Sequence, residues 1–296
     1  MKIDSKAWAL LALLSVLWGG SFVAAKIAVA EIPPVTLMAL RVGLAALALL
    51  AILAALGRTI PRALWLPLAV MGLGHNVIPF SLIFWGQQSI GVAPAAIINA
   101  TTPLWTFVLA HFLTADEKLT GTRLAGVLVG VAGVSVLMGP EALAGLTHVG
   151  LAQLAILAAT LSYAFAGIYG RRFRGLDPLV PAAGQLSAST LIAIPMAFAL
   201  EAPLAISSPS LHAWIAVAVV ALLGTAAAFV VYFALLARAG AGNALLVTML
   251  IPPSAMLLGW FVLGETPGVL SLAGFAIILA GLILVDGRLV HRREVG

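Results

Sequence analysis

Hydrophobic positions fill this chain in ten long blocks, separated by short breaks rich in turn formers. A helix needs about 20 mainly apolar residues to cross a hydrocarbon layer about 30 Å thick, so blocks of this length predict membrane spans. The spans are predicted at Ala7 to Ala28, Val35 to Leu56, Leu64 to Gln87, Pro94 to Leu113, Thr122 to Gly139, Gly150 to Gly170, Pro178 to Leu200, His212 to Ala237, Asn243 to Leu263 and Gly268 to Val285. Breaks such as Glu31 to Pro34, Gly57 to Pro61, Gly139 to Gly145 and Ala202 to Ser210 are too short to hold a second, soluble domain. The expected fold class is an all-α integral membrane protein of ten transmembrane helices. Lys2 and Lys6, an apolar run and Ala28-Val29-Ala30 imitate a cleaved leader. The first block is nevertheless long enough to span and carries Trp18 and Lys26, so it is expected to be retained.

Composition points the same way. Of 296 residues, 63% are hydrophobic and 8% charged, and the mean hydropathy is +1.17. Too few polar residues remain to cover a water-soluble surface, so lipid must be the solvent. Cysteine is absent, which excludes disulfides, thiolate catalysis and cysteine-held metals. The formal charge of +5 is scattered in small groups between apolar runs, which fits membrane topology and not nucleic-acid binding.

Basic residues in short loops stay on the cytoplasmic side. With the N-terminus inside, Lys2, Lys6, Arg58, Arg62, Lys118, Arg123, Arg171, Arg172, Arg174, Arg238, Arg288, Arg292 and Arg293 all fall inside, 13 of 15. The predicted outer loops hold none and offer Glu31, Glu141, Glu201 and Glu265 instead. Both termini are therefore expected in the cytoplasm, with the chain multi-pass in the cell (inner or plasma) membrane.

The chain also repeats itself. Trp18 and Lys26 recur as Tyr163 and Arg171, and Pro34 and Arg41 as Pro178 and Gln185. Gly91, Pro103 and Phe112 recur as Gly240, Pro252 and Phe261, and Glu117, Gly126 and Gly133 as Glu265, Gly274 and Gly281. Residues 1–139 and 150–286 thus form two five-helix units, followed by a short basic cytoplasmic tail, 287–296. Five spans is an odd number, so the second unit must enter the membrane inverted. Inverted repeats exchange between two related shapes, which is alternating access around a midplane site.

These features are similar to the drug/metabolite transporter superfamily, in its EamA-type branch of ten-span exporters. The resemblance covers nearly the whole chain. It rests on Leu17-Trp18-Gly19-Gly20-Ser21-Phe22 with Lys26, on Pro34 to Arg41, and on Asn99-Ala100-Thr101-Thr102-Pro103 running to Glu117. In the second half it rests on Ile251-Pro252 to Gly264-Glu265 and the Gly-spaced last span. It implies secondary transport, usually efflux, of amino acids, related metabolites or drugs, and looks most like the aromatic and neutral amino acid exporters. Multidrug or other metabolite efflux is the alternative. The partners so implied are a small-molecule substrate and the bilayer, with a monomer as the expected state.

Several residues are candidates for the transport site. His75 and Asn76 lie mid-span before Pro79, where polar groups need partners or water. Arg41 is the deepest charge, with no acid in any span to pair with it, so it must meet carbonyls, water or a substrate anion, or snorkel outward. Family resemblance implies an inward-facing structural arginine there. Lys26, nearer the edge, is expected to snorkel. Trp18, Phe22, Phe80, Trp85, Trp105, Tyr163, Tyr169, Phe229 and Tyr232 supply aromatic surface for a ring-bearing or apolar solute. Ser21, Asn99, Thr101, Thr225 and Thr248 offer orienting hydrogen bonds, though such side chains also bond their own helix turn. Pro79, Pro103, Pro252 and Pro253 are expected to break their helices. Gly126, Gly130, Gly133, Gly274 and Gly281 read as close packing.

Other classes fit less well. An intramembrane hydrolase needs a nucleophile and base in reach, and His75 with Ser81 or Ser162 is the one arrangement to consider. No Gly-flanked nucleophile, paired membrane acid or metal-ligand spacing accompanies it, so no catalytic residue and no metal are expected. A channel would show charge rings or a filter. No phosphate-cradling Gly-Lys loop is present, so neither ATP nor another cofactor is expected. Acids confined to loops favour neutral or zwitterionic cargo over cations.

Overall fold

In a bilayer a backbone group has no water to bond, so each apolar block satisfies itself by becoming a helix. The computed structural model describes residues 5–113, 121–138, 148–173, 175–205, 208–239 and 247–286. Ten spanning elements lie among them: α1 (Ser5–Val29), α2 (Pro34–Ala55), α3 (Arg62–Ser89), α4 (Val92–Leu113), α5 (Gly121–Met138), α6 (His148–Phe173) and α7 (Leu179–Leu200), then α8 to α10. α8 joins Leu211–Ala218, Val219–Ala227 and Ala228–Ala239, while α9 is Val247–Leu263 and α10 Val269–Asp286. Seven of them are long and apolar enough to cross a membrane by length and composition, and α5, α9 and α10 contain shorter apolar helices. No strand occurs among the described residues. Lys2, Glu117, Lys118, Glu141, Arg174, Gly240, Asn243, Arg288, Arg292, Arg293 and the 287–296 tail lie outside the described residues, as do the side chains of Arg123, Arg238 and Thr248.

The helices pair in a pattern that maps onto itself when the first five are exchanged for the last five. α2 packs on α7 and α5 on α10; α1 packs on α8 and α9 as α6 packs on α3 and α4. Small residues let backbones touch at these crossings. A Cβ on Gly281 would sit 2.6 Å from Gly130 N and 2.7 Å from Gly126 O, and one on Gly274 2.8 Å from Gly133 O. Likewise a Cβ on Gly72 of α3 would meet Gln185 O of α7 at 2.6 Å.

Two of the expected proline breaks fall close by, and one pair needs correction. α3 loosens into a π segment, Leu73–Val77, just ahead of Pro79, and α4 is interrupted at Ala100-Thr101, just ahead of Pro103. By contrast, α9 stays helical through Pro252 and Pro253. Proline keeps a helical φ and forfeits chiefly its own N–H bond. Here α1 lies hard against the stretch that follows, since a Cβ on Gly19 would be 2.8 Å from Ala255 N. A second π segment, Val219–Ala227 in α8, carries no proline and has no warning in the sequence.

Three carboxylates fasten one end of the bundle, each holding the start of a helix from the opposite half. Glu201, after α7, accepts from Val35 N at 2.9 Å, Thr36 N at 2.7 Å and Thr36 Oγ1 at 3.0 Å at the start of α2. Glu265 accepts from Val92 N at 2.7 Å at the start of α4. Glu31 accepts from Ser210 N and Oγ, both at 2.6 Å, ahead of α8. The first N–H groups of a helix have no internal partner and carry the positive end of its dipole, so a carboxylate suits them. Lys26 takes part at this end too, and its expected outward snorkel is corrected: Nζ donates to the carbonyls of Gln87 at 2.6 Å and Ile90 at 2.9 Å, where α3 ends. A cation at a helix C-terminus is favoured for the same electrostatic reason. At the far end Arg58 and Asp177 form an exposed ion pair between the two halves.

Glu201→Ala is expected to lower stability by about 1 to 2 kcal/mol, the worth of a helix cap, read as a lower Tm in detergent. Glu31 is held below the usual carboxylate range by hydrogen bonds from the Ser210 hydroxyl and backbone N–H. A lowered folded-state value means that its contribution is present above the ordinary carboxylate range and fades as pH falls through the folded value. The Tm difference between wild type and Glu31→Gln should therefore exist at neutral pH and vanish in acid.

Candidate functional site

Mid-bundle, the two π segments hold polar and aromatic side chains against one another. A π segment carries an extra residue in its turn, which tilts side chains off the helical register and frees a carbonyl. In α8 Thr225 Oγ1 donates to Val220 O at 2.9 Å, and in α3 Gly74 O accepts from Ser162 Oγ of α6 at 2.7 Å. Both segments face side chains from the other half.

Arg41 of α2 is 8% exposed. Its Nε donates to Thr225 Oγ1 at 2.7 Å, and Nη2 donates to Gly224 O at 3.3 Å. The guanidinium lies over the Phe80 ring, 3.7 Å from its centroid. Phe80 stacks on Phe84 at 6.2 Å and meets Tyr163 edge-on at 6.5 Å. Tyr163 in turn stands T-shaped to His75 at 5.6 Å, and His75 faces Phe229 at 5.8 Å. His75 Nδ1 lies 3.2 Å from Gln185 Oε1 of α7. The centre thus draws on α2, α3, α6, α7 and α8. The sequence does carry a pointer to Gln185, which occupies the repeat position of Arg41.

The remaining candidates divide clearly. Asn76 is fully buried and turns to α7, with Nδ2 donating to Ser189 Oγ at 3.0 Å and Oδ1 lacking a partner among the described residues. Trp18 is half-buried and pairs with Tyr232 at 5.8 Å. Ser21 is buried where α1 meets α8, since a Cβ on Gly224 would be 2.8 Å from Ser21 Cβ. Phe22 is buried in the apolar core. Thr101 accepts from Trp105 Nε1 at 3.2 Å, and Asn99 accepts from Thr102 through its carbonyl at 2.8 Å, so these belong to the α4 interruption. Trp85 is exposed, and Tyr169 lies under Arg172 near the end of α6, 3.7 Å from its guanidinium carbon. A surface depression beside Arg58, Thr59 and Trp65 contains none of the candidates.

Neither serine considered for a hydrolase is bonded to His75, and Ser81 Oγ has no hydrogen-bond partner among the described residues. Ser162 Oγ bonds the Gly74 carbonyl, and His75 Nδ1 bonds Gln185. No group of three or more metal-ligating side chains gathers among the described residues.

Ten apolar helices around a polar, aromatic centre define a multi-span membrane protein of the transporter class. The chain belongs to the EamA-like transporter family, whose model matches it twice, over residues 6–139 and 150–286. It is similar to the uncharacterized transporter YoaV of Bacillus subtilis, 25% identical over 92% of this chain and 93% of that one. A probable terminal-alkyne amino-acid exporter of Streptantibioticus cattleyicolor is 26% identical over 99% of this chain and 97% of its own. A solved protein structure, 22% identical, aligns with a TM-score of 0.69 over 99% of this chain and 100% of the other, which supports the fold. The family and these relatives are described as transporters or exporters.

Thr225→Val removes the acceptor of the best-placed Arg41 bond while keeping the side-chain volume. It should cost about 1 to 3 kcal/mol, the range for a buried donor on a charged group left unmet, seen as a Tm drop larger than that of Thr106→Val in the same detergent.

Proposed function

We propose that this protein is a secondary exporter of aromatic or neutral amino acids and related small metabolites, working by alternating access. The observation that carries the reading is Arg41: a buried guanidinium bonded to Thr225 and the Gly224 carbonyl and seated on Phe80, with no carboxylate beside it among the described residues. A charge taken out of water without a counter-ion is costly, and a cargo carboxylate relieves that cost. Phe80, Tyr163 and Phe229 around it suit an apolar or ring-bearing side chain. His75 completes the site.

The two family matches and the self-mapping helix packing support a pair of inverted five-helix repeats. Exchange of their shapes opens the centre to each side in turn. The glutamate-fastened end faces out and both termini lie in the cytoplasm, since among the described residues Arg58, Arg62, Arg171 and Arg172 lie at the other end. A single chain suffices, in the cell membrane and without ATP.

Proteoliposomes loaded with phenylalanine, tryptophan or leucine should show saturable counterflow of the labelled amino acid. Arg41→Met and His75→Ala should each slow it at least about tenfold, the effect of one lost hydrogen bond to a charged group, in protein that still elutes as a single species. Exchange confined to cationic drugs, or conductance that does not saturate, would overturn the proposal.

A further inference from the structure

Deepening the amino-acid reading, on which it rests, we propose that the centre reads both charged ends of a free α-amino acid: Arg41 receives the carboxylate and His75 Nε2 the ammonium, while Gln185 is a positioning residue that sets the histidine for this task.

The bonding inventory supports the carboxylate end. A guanidinium has five N–H donors. Arg41 uses one on Thr225 and one on Gly224 O, and the other three, both on Nη1 among them, have no partner among the described residues. Those two bonds and the Phe80 face fix the plane of the guanidinium, so it is already oriented before cargo arrives. A planar fork held in this way matches a carboxylate in two-point geometry, which a lysine ammonium cannot do.

The ammonium end follows from Gln185. Its Oε1 faces His75 Nδ1 at 3.2 Å, and an amide oxygen only accepts, so Nδ1 bears the hydrogen. A neutral imidazole with Nδ1–H has its lone pair on Nε2, and that nitrogen has no partner among the described residues. A lone pair receives an ammonium N–H and repels a carboxylate. Tyr163 touches His75 on one side and Phe80, the ring that carries Arg41, on the other. Donor and acceptor therefore border the same aromatic pair, where a side chain between them rests on rings. Gln185 is 2% exposed and sits on α7, so it acts through His75.

The test is competition against phenylalanine counterflow in proteoliposomes by phenylalanine methyl ester, which lacks the carboxylate, and N-acetylphenylalanine, which lacks the ammonium. In wild type both should compete at least about tenfold more weakly than phenylalanine, the factor for one hydrogen bond left unmade. Gln185→Met removes the acceptor at similar volume. It should raise the half-saturation concentration for phenylalanine toward that for the N-acetyl compound, leave the latter unchanged, and keep discrimination against the ester. Arg41→Lys should show the reverse, losing selectivity against the ester. A merely structural role for either residue would weaken all three compounds alike, and that result overturns the assignment. Wild-type competition by all three compounds at equal concentration also overturns it while sparing the amino-acid reading. Absence of any phenylalanine exchange defeats both.

Discussion

The structure depends on one charge buried between its halves. A guanidinium in a hydrocarbon-spanned interior has little water to call on, and its solvation must come from the protein. Thr225, the Gly224 carbonyl and the Phe80 face provide it, from α8 and α3. Gly224 lies within the π segment of α8, where helical bonding is already relaxed and a carbonyl is available. The irregular turn and the charge therefore belong together.

The same electrostatics governs the ends of the bundle with opposite sign. Helix starts present unbonded N–H groups, and Glu31, Glu201 and Glu265 each meet such a start in the other half. Where α3 finishes and exposes carbonyls, Lys26 supplies the cation. The three glutamate contacts join the five-helix units at one end, whereas the Lys26 contact lies within the first unit. Polar contacts of this kind are readily exchanged for bonds to water. The apolar crossings of α5 with α10, backbone on backbone at Gly130, Gly274 and Gly281, have no such substitute.

How legible this was in the sequence varied with the range of the interaction. Span length is a local property, so the ten helices stood out, with ends displaced by a few residues where a 3-10 turn such as Arg62–Leu64 extends a span. Glycine spacing marked the tight crossings. Prolines were a poorer guide, because the cost of a missing N–H depends on what packs alongside: α4 is interrupted before Pro103, whereas α9, braced by α1 at Gly19, continues through Pro252 and Pro253. A lysine near a span edge snorkels unless a helix end lies in reach, and for Lys26 such an end, that of α3, is in reach. Within the centre, His75, Phe80, Tyr163, Thr225, Phe229 and Arg41 were readable as polar or aromatic groups at depth. Their sorting from Phe22, Trp85 and Tyr169 required the packing, since helix rotation is set by neighbours and not by composition.

Gln185 shows what the repeat encodes. Arg41 and Gln185 occupy matching positions in the two halves, on α2 and α7, and each reaches into the π segment of the other half, Arg41 to Thr225 and Gly224, Gln185 to His75. One contact is thus made twice, once with a charge and once without. Two guanidiniums in such a centre would repel by about 4 kcal/mol at 4 Å even with an effective dielectric of 20, and among the described residues no acid lies mid-span to offset them. Neutralising one position removes that repulsion while preserving a hydrogen bond across the halves. It also leaves the centre polar in a directed way, with the guanidinium donors on α2 and the imidazole on α3, so the two halves differ at matching positions.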